Sequence, residues 1–158
     1  MMLSDMRDYV ESLKMADRVY MGKMDPKKEK SVGVYHSKHR REHKTAIGGD
    51  APRSYGTKYV TLLVHWNRSP GETEKAAVSL FNRLTGTREE KINDTTIKFI
   101  LPLCDVQDVG TDDAGIYEMV IEAAVIFEKG RIENGKNESP DVCGTDGSLS
   151  MLRKPVSG

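Results

Sequence analysis

Apolar and polar positions sort most sharply between residues 55 and 86. In Tyr59-Val60-Thr61-Leu62-Leu63-Val64-His65-Trp66 the even positions are all large and apolar, whereas the odd ones are mixed. That alternation predicts a strand with one buried face. Ser69-Pro70-Gly71-Glu72 follows and predicts a helix start. There the Ser69 side chain accepts from an amide of the first turn, Pro70 sits where its missing N–H has no partner, and Glu72 reaches back to the Ser69 amide. Ala76, Ala77, Leu80, Phe81 and Leu84 then recur at offsets of one, three and four, forming one apolar stripe, and Gly86 stands where a left-handed C-terminal cap belongs. A strand running straight into a helix offers two apolar surfaces that close on each other. Burying the stripe contributes roughly 5–10 kcal/mol gross before ordering entropy is subtracted, so this unit is the expected folding core.

The flanking pattern is shorter in range. Leu3, Met6, Val10 and Leu13, with Ser4 or Asp5 near the start, predict an amphipathic helix over residues 3–13. Residues 19–24 and 31–36 read as two strands, and the polar connection from Asp25 to Lys30 makes a hairpin the economical reading. Residues 37–53 are nearly devoid of apolar side chains, a loop longer than is usual in a compact domain. Residues 91–100 predict a tight hairpin turning at Asn93-Asp94, and residues 106–115 a second polar connection. Residues 116–128 form the longest β-run, apolar on both parities except for Glu118 and Glu122, as expected of a strand near the middle of a sheet. Beyond residue 130, glycine, asparagine, serine and proline dominate. The fold class this gives is α+β, a mainly antiparallel sheet of about four to six strands packed against two helices. Residues 1–129 are expected to form the domain and residues 130–158 an irregular C-terminal extension.

Bulk composition narrows the function classes. The formal net charge is +0 although 30% of residues are charged, which argues against a dedicated nucleic-acid binder or a polybasic membrane adaptor. The charge is segregated: residues 23–44 are rich in lysine and arginine, and residues 105–122 carry six acids and no basic residue. Opposite signs on two parts of one subunit suit head-to-tail contacts, and a solvated loop with a solvated turn explains the same counts. Cys104 and Cys143 are the only cysteines, which fits a reducing cytoplasm rather than a disulfide framework. No run approaches membrane-spanning length and the N-terminal residues do not read as a signal peptide, so synthesis in the cytosol is expected.

Candidate chemistry is thin. His36, His39 and His43 sit beside Lys38, Arg40, Arg41 and Lys44, whose charge disfavours a bound dication. Asp112-Asp113 resembles a carboxylate pair, but adjacent residues point apart in an extended chain and Gly110 and Gly115 mark a turn. Cys104 reads as a core or edge thiol, and His65 as a satisfied sheet histidine. No Walker loop, dinucleotide fingerprint, nucleophile elbow or HExxH occurs. The expectation is a protein that is not an enzyme and has no catalytic, cofactor or metal site.

Several phrases in order carry a resemblance. Val19-Tyr20-Met21-Gly22-Lys23, a Pro-Lys-Lys turn and Val32-Gly33-Val34-Tyr35 come first, then Ile47-Gly48-Gly49 and Ser54-Tyr55. Leu63-Val64-His65-Trp66-Asn67 with Pro70-Gly71-Glu72-Thr73-Glu74, and Asp108-Val109-Gly110-Thr111-Asp112-Asp113-Ala114-Gly115-Ile116-Tyr117-Glu118, complete the series. Together they resemble the minor capsid protein family of tailed bacteriophages and prophages, whose members look like tail terminator proteins. The resemblance implies a virion subunit with no active site and no cofactor, assembled as a homo-oligomeric ring, typically a hexamer. Such a ring caps the tail tube protein and joins it to the head-tail connector or stopper protein, while genomic DNA passes through the lumen without specific binding. A closed ring uses unlike patches on neighbouring copies. The candidate interface is accordingly Lys38, Arg40, Arg41 and Lys44 on one side and Asp108, Asp112 and Asp113 on the other. A head-tail adaptor or stopper is the nearest rival, followed by a small nucleic-acid-binding domain, which would lack the aromatic residues that single-strand binders interleave with their charges. An enzyme built on Asp112, Asp113 and the histidines is the third.

Overall fold

In the computed structural model, which describes residues 1–38 and 54–129, the chain runs through α1 (Leu3–Ser12), β1 (Arg18–Met21), β2 (Ser31–His36) and β3 (Tyr55–His65). It continues through α2 (Pro70–Thr85), β4 (Arg88–Ile92), β5 (Thr95–Pro102), β6 (Gln107–Thr111) and β7 (Tyr117–Glu128). One sheet of seven strands has the order β1-β2-β3-β7-β5-β4, with β6 also on β7. All pairs are antiparallel except β1 with β2. The α+β class and the two helices match the expectation from the pattern, and the sheet has one strand more than its upper bound.

The longest apolar run became the central strand. β3 covers one edge of β7 along its length, with Leu62 opposite Ile121 and His65 opposite Glu118. The other edge is shared end to end: β5 pairs with residues 123–128 and β6 with residues 117–120. Register puts Val60, Leu62 and Val64 on one face with Met119, Ile121, Ala123 and Val125. Both helices lie on that face, contributing Met6, Tyr9 and Val10 from α1 and Ala77, Leu80 and Leu84 from α2 to a single buried core. The Tyr9 hydroxyl, a polar group in this core, pairs with the Thr87 hydroxyl at 2.6 Å. Burial pushes the phenol's pKa up, and the Thr87 bond only partly offsets this.

Four local expectations are corrected. Residues 19–24 and 31–36 do not form a hairpin, because β1 runs parallel to β2 with Arg18 beside Ser31. After Met21 the chain reverses at Gly22, whose φ of 81 favours glycine, and the connection returns so that the Asp17 amide reaches the Lys30 carbonyl at 2.9 Å. A strand of only four residues needs a return of about 13 Å, which a short irregular connection can span.

The α2 start is not a capping box. Ser69 is the N-cap but its side chain makes no capping bond. The Ser69 amide donates instead to Asn67 Oδ1 at 3.0 Å, and Asn67 Nδ2 donates to Glu72. An asparagine two residues upstream closes on that amide through a shorter loop than Glu72 could. Gly86, at φ −78, is right-handed rather than left-handed. The helix end is closed by Thr87, whose amide donates to the Leu84 carbonyl and whose hydroxyl donates to that of Arg83.

Fourth, the polar stretch after Val106 contains β6. The tight turn at Asn93, φ 52, is as expected. Residues 39–53, with Arg40, Arg41, Lys44 and two of the histidines, and the extension 130–158 lie outside the described residues.

Candidate functional site

The end of the sheet where β3 stops and β7 starts carries the densest polar chemistry among the described residues. Asp112 builds the turn that delivers the chain from β6 into β7. Its Oδ1 accepts the amides of Ala114 and Ile116, both at 2.9 Å. Its own amide donates to the Ile116 carbonyl at 3.0 Å, and its carbonyl accepts from Gly115 at 3.0 Å. Gly115 takes φ 78, which a side chain would oppose. Asp113, next in sequence, is exposed. The two carboxylates therefore do not form a pair, and the structural role read from the flanking glycines is the one Asp112 has.

The second oxygen of Asp112 faces inward. Oδ2 lies 3.9 Å from Nε2 of His65, which is fully buried at 0% exposure. The other ring nitrogen, Nδ1, donates to Glu118 Oε1 at 2.9 Å; a carboxylate only accepts, so the hydrogen belongs to the ring. Strand register explains the contact, because His65 and Glu118 are opposite partners in the β3–β7 ladder. Nε2 and Oδ2 are both buried without a hydrogen-bond partner, the 3.9 Å between them being too long for one.

These three side chains could present ligand atoms to a metal, all within 4.8 Å of one another. The donor set does not fit a resident site. Glu118 is engaged with Nδ1, so a cation on Nε2 would meet Asp112 as its one further protein ligand in this group, where structural zinc takes four. The arrangement acts as a brace that ties the 112–116 turn and the start of β7 to the end of β3.

A groove of about 470 Å³ runs between α2 and β6. Val78, Phe81, Val106 and Met119 form its apolar part, and Glu74, Asp105 and Asp108 add carboxylates. Val78 is 41% exposed although it is a large apolar residue on a helix. Sequence reasoning missed this groove; the available signal was Val78 itself, apolar but off the buried stripe, three residues before Phe81.

Of the residues proposed as an interface, the structure gathers Asp108, Asp112 and Asp113 at this acidic end. Asp108 Oδ1 also accepts the Gly110 amide at 2.8 Å, across the register shift between Asp108 and Gly110. Lys38 is exposed at the other end, just past the Ser37 amide that donates to the Tyr59 carbonyl. Tyr59 and His65 are separated by six steps of β3, about 20 Å. Arg40, Arg41 and Lys44 lie outside the described residues. Cys104 is partly buried, with Gln107 Nε2 at 3.3 Å from its sulfur. Among the described residues no helix is long and apolar enough to cross a membrane.

Compared with known protein families, residues 6–129 match the model described as bacteriophage tail terminator protein. That span runs from within α1 to the residue after β7 and covers the whole sheet. No curated protein is similar enough to this chain to count as a match.

Proposed function

This chain belongs to the bacteriophage tail terminator family, and from that premise we propose that it is a ring subunit at the head-proximal end of the tail tube, joining the tube to the head connector. The observation that carries the reading is the family match over residues 6–129, which takes in every strand of the sheet. The task is one of position within an assembly rather than bond-making.

In this reading neighbouring copies meet through unlike ends. The acidic end with Asp108, Asp112 and Asp113 faces the basic segment of the next subunit, Lys38, Arg40, Arg41 and Lys44, and the opposite signs help the ring close in one direction. DNA passes through the lumen: a formal net charge of +0 is consistent with passage, since tight binding would draw on several phosphate contacts. The ring-forming body in this reading is residues 1–129.

Two measurements test the proposal. Images of assembled particles with this chain labelled should show a symmetric ring between tube and head, and finding it along the tube or at the distal tip would sink the reading. Arg40→Glu with Arg41→Glu should abolish incorporation at moderate salt while circular dichroism stays unchanged; full incorporation of the double variant would refute the pairing of the two charged ends.

A further inference from the structure

The groove between α2 and β6 has two properties that rarely coincide on a free surface. It offers an apolar floor that water covers poorly, Val78 being 41% exposed, and it is bordered by the acids Glu74, Asp105 and Asp108. A complementary occupant must bring large apolar side chains and cations close together in one short segment.

Two stretches of this chain lie outside the described residues, and one of them contains such a segment. Residues 39–53 are basic but carry Ile47 as their single large aliphatic residue. Residues 149–156 read Leu-Ser-Met-Leu-Arg-Lys-Pro-Val. Leu149, Met151 and Leu152 fall within four positions, and Arg153 and Lys154 follow directly. Nowhere else in either stretch do three large apolar residues come so close together. We propose that the α2–β6 groove is the docking site for residues 149–156 of the same subunit, with the apolar triplet on Val78, Phe81 and Val106 and the two cations against Glu74 and Asp105.

Reach permits it. Met119 borders the groove and Lys129 ends the described chain, ten β-positions away or about 33 Å. The connection of residues 130–148 spans at most ~60 Å when extended, so the segment returns with slack. Tethering holds the segment near the groove at a high effective concentration, so a contact that would be weak between separate molecules is populated within one. Of the residues assigned to the ring interface only Asp108 borders the groove, and neither cation is placed on it, so docking and ring formation are tested separately.

Cross-linking of the full chain tests it. In a background of Cys104→Ser and Cys143→Ser, the pair Val78→Cys with Leu152→Cys is oxidised with glutathione disulfide, alongside a control pair of Lys23→Cys with Leu152→Cys on the far edge of the sheet. The expected result is a monomeric disulfide-linked species that forms about tenfold or more faster than in the control, at a rate independent of protein concentration. Equal rates for the two pairs would overturn the proposal, and so would a product appearing as a dimer and rising with concentration, which would make a second copy the occupant. A second reading avoids cysteines altogether. Leu149→Ser with Met151→Ser and Leu152→Ser should move the amide resonances of Val78, Phe81 and Val106 and leave those of the β1 edge in place; unmoved groove resonances would refute docking.

Discussion

Replacing His65 by leucine keeps a side chain of similar size in the sheet and removes the polar brace. The magnitude follows from three observations. The Nδ1–Glu118 bond, at 2.9 Å, joins a fully buried ring to a carboxylate, and a hydrogen bond to a charged group contributes about 1.5–3 kcal/mol. The Glu118 side chain is 21% exposed and so recovers part of that loss by turning toward water. Asp112 Oδ2, buried and already without a hydrogen-bond partner, loses its polar neighbour. The net cost should be about 2–3 kcal/mol. For a chain of this length that lowers Tm by roughly 4–12 °C. Urea unfolding followed by fluorescence reads it directly, because Trp66 is the only tryptophan and adjoins the site. A double-mutant cycle with Glu118→Gln isolates the pair and should return a coupling of about 1–2 kcal/mol. A coupling under about 0.3 kcal/mol, or a His65→Leu protein as stable as the parent, would falsify the view that this cluster braces the turn.

Two further outcomes follow from the core and from α1. Asp5 accepts the Met2 amide at 2.6 Å and hydrogen bonds from Asn93 and Thr95. Burial alone would raise its pKa, but these bonds and the N-terminal charge outweigh burial and hold it below the ordinary carboxylate value. A folded-state pKa below the unfolded one means stability that is present above the unfolded value, 3.8, and lost as pH falls through the folded one. Asp5→Asn should therefore cost about 1 kcal/mol at neutral pH, with the gap to the parent narrowing as pH falls below 3.8; a gap independent of pH in urea titrations would contradict the assignment. Leu80, 2% exposed in the core, should cost about 2–5 kcal/mol as Leu80→Ala, whereas Val78→Ala in the groove should cost well under about 1 kcal/mol, and equal losses in thermal melts would place Val78 in the core.

How much of this was legible in the sequence depends on which force shapes each part. Val60, Leu62 and Val64 announced β3 because burying one face imposes a period of two, and Leu80 and Leu84 announced α2 for the corresponding reason. β6 gave no such sign. Gln107-Asp108-Val109-Gly110-Thr111 is a strand because β7 is twelve residues long and β5 leaves the backbone groups of its first half to be paired, a demand on main chain that leaves no side-chain pattern. The parallel β1–β2 pair and the use of Asn67 at the α2 start were hidden likewise, since each turns on the geometry of a connection.

The candidate site was half legible, and the hidden half changes what its charges can do. Glu118 interrupting an apolar strand was a signal, because a carboxylate there needs a partner on the neighbouring strand at its own register, and that position is His65. Counting acids along residues 105–122 gave a uniformly negative end available to a partner. In the fold, both oxygens of Asp112 point into the turn or toward His65, and Glu118 is bonded to the ring. Of the three aspartates assigned to the interface, the field that a neighbouring subunit meets then comes from Asp108 and Asp113, both exposed. Reversing Asp113 therefore probes assembly by charge alone, whereas reversing Asp112 removes the oxygen that accepts two amides of the turn and confounds association with folding.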